Sequence, residues 1–297
     1  MTSRTVRFRS LAATFGLLAF VLVAGCTETN TIYETTERPQ FNPPPDSVNG
    51  FLGYYTASTK QTTCGNCHVS YQGEWSTTAH SGAYETLINS GHASASCYGC
   101  HTVNENGNVT ASAGMPSGYN LVADPAYHDV QCESCHGPGF DHVSSPGDDN
   151  HPLARAGLKD TAASCGGCHS GSHNPFVEQW AQTGHADSAA NAYPAGGGTG
   201  CGASCHEGRA VLTRMNGGKT STYIELDSIG EMTTLPPATC AVCHDPHGSP
   251  YSKQLRMPID IPETSANLCM SCHNRGTTPS GSFSNSTATV TKRGSHA

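Results

Sequence analysis

The chain has 297 residues, with 15 Lys and Arg against 23 Asp and Glu and a formal net charge of −8. Its hydrophobic fraction is 36%, its aromatic fraction 7%, and it contains 33 Gly and 18 Pro, so the length would allow a large core that the composition does not supply. The negative charge makes nucleic acid and anionic lipid poor partners and favours basic protein patches or cationic small molecules.

The first 25 residues carry Arg4, Arg7 and Arg9 and no acid. A mostly apolar run from Leu11 to Ala24 ends in Leu22-Val23-Ala24-Gly25-Cys26. It is shorter than the roughly 20 residues that span a bilayer, and 1–25 reads as a secretory signal with a small-residue cleavage site. The ending is similar to a bacterial lipobox, which implies cleavage before Cys26 and a lipid on its thiol; ordinary signal cleavage nearby is the alternative. Thr27, by resemblance to lipoprotein sorting rules, implies the periplasmic side or the surface of an outer membrane. From Cys26 onward 12 Lys and Arg face 23 Asp and Glu, a net charge of −11. Residues 26–50 are polar and contain Asn42-Pro-Pro-Pro45, and they read as a disordered tether with a reach of about 25–30 Å.

One short string recurs through the rest. Two cysteines followed at once by histidine occur at Cys64/Cys67/His68, Cys97/Cys100/His101, Cys132/Cys135/His136, Cys165/Cys168/His169, Cys240/Cys243/His244 and Cys269/Cys272/His273. A seventh copy, Cys201/Cys205/His206, has one extra residue between its cysteines. C-x-x-C-H is the attachment signature of c-type haem: the thiols add to the vinyl groups and the imidazole reaches the iron. A zinc or disulfide scaffold would not place His after every pair, and 16 histidines in 297 residues do not do so by chance. The expected cofactor is therefore seven covalent haems c; for the irregular copy a disulfide or a bare site is the alternative. Export fits this chemistry, since c-type haems resemble a post-export product in bacteria. At one haem per roughly 39 residues the porphyrins would form the core, and an apo-chain would bury too little apolar surface to fold.

Residues 51–275 form the expected haem domain, with an internal duplication over about 60–145 and 160–250. Cys64–His68, Trp75-x4-His80 and Cys97–His101 recur as Cys165–His169, Trp180-x4-His185 and Cys201–His206. Each pair is followed by one further motif with similar flanks, Cys-Glu-Ser-Cys-His-Gly-Pro138 and Cys-Ala-Val-Cys-His-Asp-Pro246, and a terminal motif 7 closes the series. The fold expected is mostly α with much irregular structure: short helices and loops wrapped around stacked haems. Glu74–Asn89 reads as one helix with Trp75, Ala79, Ala83 and Leu87 on a stripe, stopped at Gly91. Asn174 reads as an N-cap with Pro175 in the first turn. Around Asn216-Gly-Gly218 the weak alternation over 210–227 reads as a small β-hairpin, and residues 276–297 read as a disordered tail.

Nine histidines lie outside the motifs. His80 and His185 sit in the duplicated Trp context. His247 is three residues after His244, too close to reach the opposite face of the same haem, so a neighbouring haem is its target. His142, His173, His92 and His128 are further candidates for the far side of an iron, and His151 and His296 are weaker ones. Met115, Met215, Met232, Met257 and Met270 could compete as axial ligands, but none recurs in the duplicated pattern.

The run Val130-Gln-Cys-Glu-Ser-Cys-His-Gly-Pro-Gly-x-x-His142 and the two Trp-x4-His units resemble the multihaem cytochrome family that includes the tetrahaem cytochrome of nitrifiers. The stretch Cys240-x-x-Cys-His-Asp-Pro-His-Gly … Leu268-Cys-x-x-Cys-His273 resembles the doubled-CxxCH cytochromes. Together the similarities cover most of 60–275 and imply distal histidines supplied by segments next to a different haem. The function expected is electron relay between respiratory-chain donors, such as a quinol-linked protein or other cytochromes, and periplasmic or extracellular acceptors. The lipid is the expected membrane anchor, and a homo-polymer or a complex with a porin is an expected assembly. The rival is a multihaem oxidoreductase acting on small nitrogen or sulfur oxyanions at one open haem. No C-x-x-C-K is present, and the negative charge disfavours anions.

Overall fold

The computed structural model describes residues 41, 42, 44, 49–107, 115–146, 165–186, 208–215, 237–261 and 266–273. It is mainly helical and irregular, with short helices, isolated 3-10 turns and a small two-stranded antiparallel sheet. The expected signal (1–25), the tail (276–297) and most of the tether lie outside the described residues. The folded part reaches back to Asn49, whose Nδ2 donates to Pro116 O (3.1 Å), and to Gly50, whose carbonyl accepts from Phe140 N (3.1 Å).

Strands β1 (Tyr54–Thr56) and β2 (Gln61–Thr62) pair Tyr54 with Thr62 around a 3-10 turn that closes on Lys60 in a left-handed conformation. Before them, Gly53 has φ +65°, and a side chain there would collide with the Ala126 carbonyl. Then come α1 (Val69–Trp75), α2 (Ala83–Asn89), α3 (Tyr98–His101), α4 (Tyr119–Val122), α5 (Cys132–His136) and α6 (Phe140–Ser144). The second half contributes α7 (Phe176–Ala181), α8 (Gly208–Met215) and α9 (Cys240–Cys243).

The expected helix over Glu74–Asn89 is split. α1 ends at Trp75, a 3-10 turn spans Ala79–Gly82, and α2 follows. Three hydroxyls in the gap fold back onto the last carbonyls: Ser76 onto Gly73 (2.7 Å), Thr77 onto Glu74 (2.7 Å) and Thr78 onto Trp75 (2.8 Å). Such bonds compete with the helical ladder. They also bury Thr78 in place of Ala79, while Trp75, Ala83 and Leu87 are buried as the stripe expects. Gly91 does stop α2, at φ +70°. The cap of α7 is Pro175, one residue beyond Asn174.

The hairpin expected over 210–227 is not found in its first arm, because residues 210–215 lie in α8; residues 216–227 fall outside the described set. Ala, Leu, Arg and Met are strong helix formers, and at helical spacing Val211, Leu212 and Met215 reach one apolar cluster with Val242, Ala238 and Cys272. A second small cluster joins Phe51, Val103 and Tyr127, with Tyr119 and Ala126 against it. These two patches supply little apolar burial, while apolar side chains beside the motifs stay open: Val69 next to His68 is 57% exposed and Phe176 54%. That is the surface a porphyrin would cover. No described helix is long and apolar enough to cross a membrane.

Candidate haem sites

Each described motif is a tight turn. The His amide donates to the first Cys carbonyl at 2.9 Å in Cys64–His68, Cys165–His169, Cys240–His244 and Cys269–His273. Motifs 2 and 3 end α3 and form α5. This closure sets two cysteine sulfurs and one imidazole close together, and none of the twelve described motif cysteines is in a disulfide. Two motif imidazoles are further aimed by a carbonyl at Nδ1: His101 by Ala83 O and His244 by Lys253 O, both at 2.7 Å. A proton held on Nδ1 leaves the Nε2 lone pair for a metal.

Cys67 is exposed, whereas the other eleven described motif cysteines are half-buried. The reason is the 3-10 turn Cys64–Asn66, which Cys67 follows and closes with its amide on Cys64 O (3.1 Å). Cys64 meets the Cys132 thiol, while Cys67 stands on the open side of the turn beside His68 and Val69, both also exposed. The turn alone therefore positions Cys67, and any cover for it would come from the group it binds.

Four spare histidines each face a motif histidine. His68 and His142 have ring centres 6.4 Å apart, His136 and His247 6.2 Å, His80 and His169 6.2 Å, and His185 and His273 5.8 Å. A metal–imidazole bond is about 2 Å and the nitrogen lies roughly 1 Å from its ring centre, so two rings on opposite sides of one metal stand roughly 6 Å apart. The residues present thus fit a metal between each pair, with two ligands rather than a cage: no cluster of three or more potential metal-ligating side chains occurs among the described residues. The ring planes differ by 25° and 4° in the first two pairs and by 56° and 72° in the last two.

Burial lowers the basicity of His80, His169 and His247, and a neighbouring histidine (His169, His244 and His136 in turn) adds to the effect, which Asp245 opposes in His247. The neutral form that binds a metal is thereby favoured. His247 is held on an Asp245-Pro246 turn: its amide donates to Asp245 Oδ1 (3.1 Å), and its ring packs on Tyr71 with centres 4.6 Å apart. The following Gly248, at φ +143°, passes so close to α1 that a Cβ would lie 2.6 Å from Glu74 O. Arg256 braces the same turn through Asp245 Oδ2 (2.6 Å) and Ala241 O (2.8 Å).

Cysteines of different motifs lie near one another. Cys64 and Cys132 are within hydrogen-bond reach, bringing sites 1 and 3 together. Cys135 neighbours Cys165 (3 and 4), Cys100 is within hydrogen-bond reach of Cys168 (2 and 4), and Cys243 neighbours Cys269 (6 and 7). His169 also senses His244, joining sites 4 and 6.

Of the other candidates, His173 lies within electrostatic reach of Cys100. His128 is stacked on Tyr84 at 3.5 Å, and His92 is exposed beyond α2 with its amide on Ser90 Oγ. None of these three forms a ring pair with a described motif histidine. Cys26, His151, Cys201, Cys205, His206 and His296 lie outside the described residues.

Two organising residues are not evident from sequence. Glu133, inside motif 3, is buried and accepts amide hydrogens from Leu52, Gly53 and Gly139 at 2.7–3.0 Å, tying the start of the domain to the turn that carries His142. Asp129, also buried, binds Tyr54 OH (2.8 Å), Lys60 Nζ (3.0 Å) and Tyr84 N (2.9 Å). An acid inside a motif or a loop carries no periodic signal that would announce its burial.

The family model for cytochrome c554 and c-prime matches residues 63–137, and that for the doubled CXXCH motif matches residues 237–278. No curated protein and no solved structure gives a significant match. The first region holds motifs 1 to 3 and the second motifs 6 and 7, which accounts for covalent haem c as cofactor and redox proteins as partners. Together these matches support a multihaem c-type cytochrome that transfers electrons.

Proposed function

We propose that this cytochrome is a seven-haem lipoprotein, exported and held by a lipid on Cys26 at the periplasmic side or surface of an outer membrane. It relays electrons from a quinol-linked donor or another cytochrome to a periplasmic or extracellular acceptor. A porin complex or a homo-polymer is the setting in which such a relay would cross the membrane. When bound, haem supplies one-electron exchange at iron. The observation that carries the reading is the set of four imidazole pairs at 5.8–6.4 Å. In each pair the chain would supply both ligands to a bound iron, so those sites would offer no place for a substrate.

On this reading His142, His247, His80 and His185 are the distal ligands opposite His68, His136, His169 and His273. His173 serves the site of His101, supported by its effect on Cys100. The sites of His206 and His244 draw on His92, His128, His151, His296, a methionine or a residue of another protein. Mass spectrometry of the mature protein should find seven haems and a lipid on Cys26; six haems would mean that Cys201/Cys205/His206 is unmodified. Low-temperature EPR should account for at least four haems as low-spin, and fewer would overturn the pairing.

A second reading is supported by His101 and His244, neither of which forms a ring pair with a spare histidine among the described residues. An open iron there would suit an oxidoreductase of nitrogen or sulfur oxyanions. Sustained turnover of nitrite or hydroxylamine with a reductant dye, above free-haem background, would favour it.

A further inference from the structure

We propose that Trp75 and Trp180 are positioning residues that seat the distal histidines His80 and His185, and so set the two junctions between successive units of the haem array. This rests on the reading that His80 and His185 are axial ligands. The indole N–H of Trp75 donates to Val130 O, and that of Trp180 to Ala238 O, both at 2.9 Å. Val130 and Ala238 each stand two residues before the first cysteine of the third motif in their unit, Cys132 and Cys240. The duplication thus extends to an atomic contact that neither motif spacing nor helical periodicity requires.

Five residues after each tryptophan comes the histidine that faces the first motif of the next unit, His169 or His273. At the same junctions the last thiol of the third motif neighbours the first thiol of the next: Cys135 with Cys165, and Cys243 with Cys269. One element therefore grips the segment leading into site 3 or 6 and reaches over to site 4 or 7. In the first unit the grip is closed on both sides of one residue, because Val130 N also donates to His80 O (3.1 Å). Trp75 is itself 6% exposed and fixed against Tyr54, so the indole has little freedom to aim elsewhere.

The role belongs to the N–H and not to ring volume alone. The test is Trp75→Phe, Trp180→Phe and replacement of each tryptophan by benzothienylalanine, which keeps the bicyclic shape and removes the donor. Each is compared with His80→Ala and His185→Ala in the full holoprotein. Haem stoichiometry should be unchanged. In the Trp75 variants a high-spin EPR component should appear at the site marked by His80→Ala, and carbon monoxide should bind that reduced haem about five- to tenfold faster, the effect of losing one buried hydrogen bond. The Trp180 variants should do the same at the site marked by His185→Ala. Adding Trp75→Phe to His80→Ala should change the spin state no further.

Wild-type spin state and carbon monoxide kinetics in both benzothienylalanine proteins would overturn the proposal, and so would equal changes at all haems. If His80→Ala and His185→Ala themselves create no high-spin haem, the ligand reading fails, an outcome distinct from failure of the tryptophan grip.

Discussion

Replacing Glu133 by Gln sets two effects on one side chain against each other. Its carboxyl is enclosed by the chain, and burial disfavours the charge; amide hydrogens from Leu52, Gly53 and Gly139 favour it. Burial is the larger effect and pushes the pKa up from 4.5 to about 7. Between those values the native state binds more protons than the unfolded chain, so stability falls as pH rises from 4.5 to 7 and is flat above. At 1.36 kcal/mol per pH unit the loss is about 3 kcal/mol, a large part of the ~5–15 kcal/mol that holds a typical domain. Gln keeps the shape and cannot ionise, but its Nε2 is a donor and would meet an amide N–H of Gly53 or Gly139, at a cost of about 1–3 kcal/mol at any pH. Guanidinium unfolding of the holoprotein, followed by circular dichroism at pH 4.5 and pH 8, should therefore show the variant less stable than wild type at the lower pH. Between the two pH values the gap should close by about 3 kcal/mol, because wild type alone loses that stability. A gap that stays constant would refute the reasoning, because the carboxyl would then ionise as readily in the folded chain as in the unfolded one.

Other outcomes follow from the same geometry. The nearly parallel rings of His136/His247 and His68/His142 should give rhombic low-spin EPR signals, while the crossed rings of His80/His169 and His185/His273 should give strongly anisotropic ones; His247→Ala and His185→Ala should each remove one signal of the matching type. Arg256→Ala should loosen the Asp245 turn and leave part of the His136 haem high-spin. Arg256→Lys should rescue little, since lysine cannot make both contacts of the guanidinium fork; an unchanged spectrum in Arg256→Ala would show that the turn holds His247 unaided. Cys26→Ser should release the holoprotein from membranes into the soluble fraction without loss of haem, as followed by fractionation and absorbance; continued membrane attachment would refute the lipid anchor.

The cofactor, the motif residues and the duplication are legible in the chain itself, because covalent attachment depends on local spacing: two thiols and an imidazole within five residues act as a unit wherever they sit. The mostly α, irregular class is legible for a related reason, since few apolar residues and many glycines and prolines cannot build regular layers. The local readings failed where hydroxyls or side-chain burial competed with periodicity. Thr77 and Thr78 break the helix expected over Glu74–Asn89, and Val211 and Leu212 make helix where alternation suggested strand. Spacing is also silent on enclosure: Cys64 and Cys67 belong to one motif, yet only Cys64 meets a thiol of another.

Pairing was decided by tertiary structure. Sequence marks His80 and His185 as repeated, but nothing near them says that they face His169 and His273, 89 and 88 residues away. Nor does it say that His247 turns to His136 or that Trp75 and Trp180 grip Val130 and Ala238. A motif histidine is placed by its own turn. A histidine that faces a motif is placed by where the rest of the chain folds back, and that depends on long-range contacts such as the Gly248 approach to Glu74 and the buried Glu133 clasp.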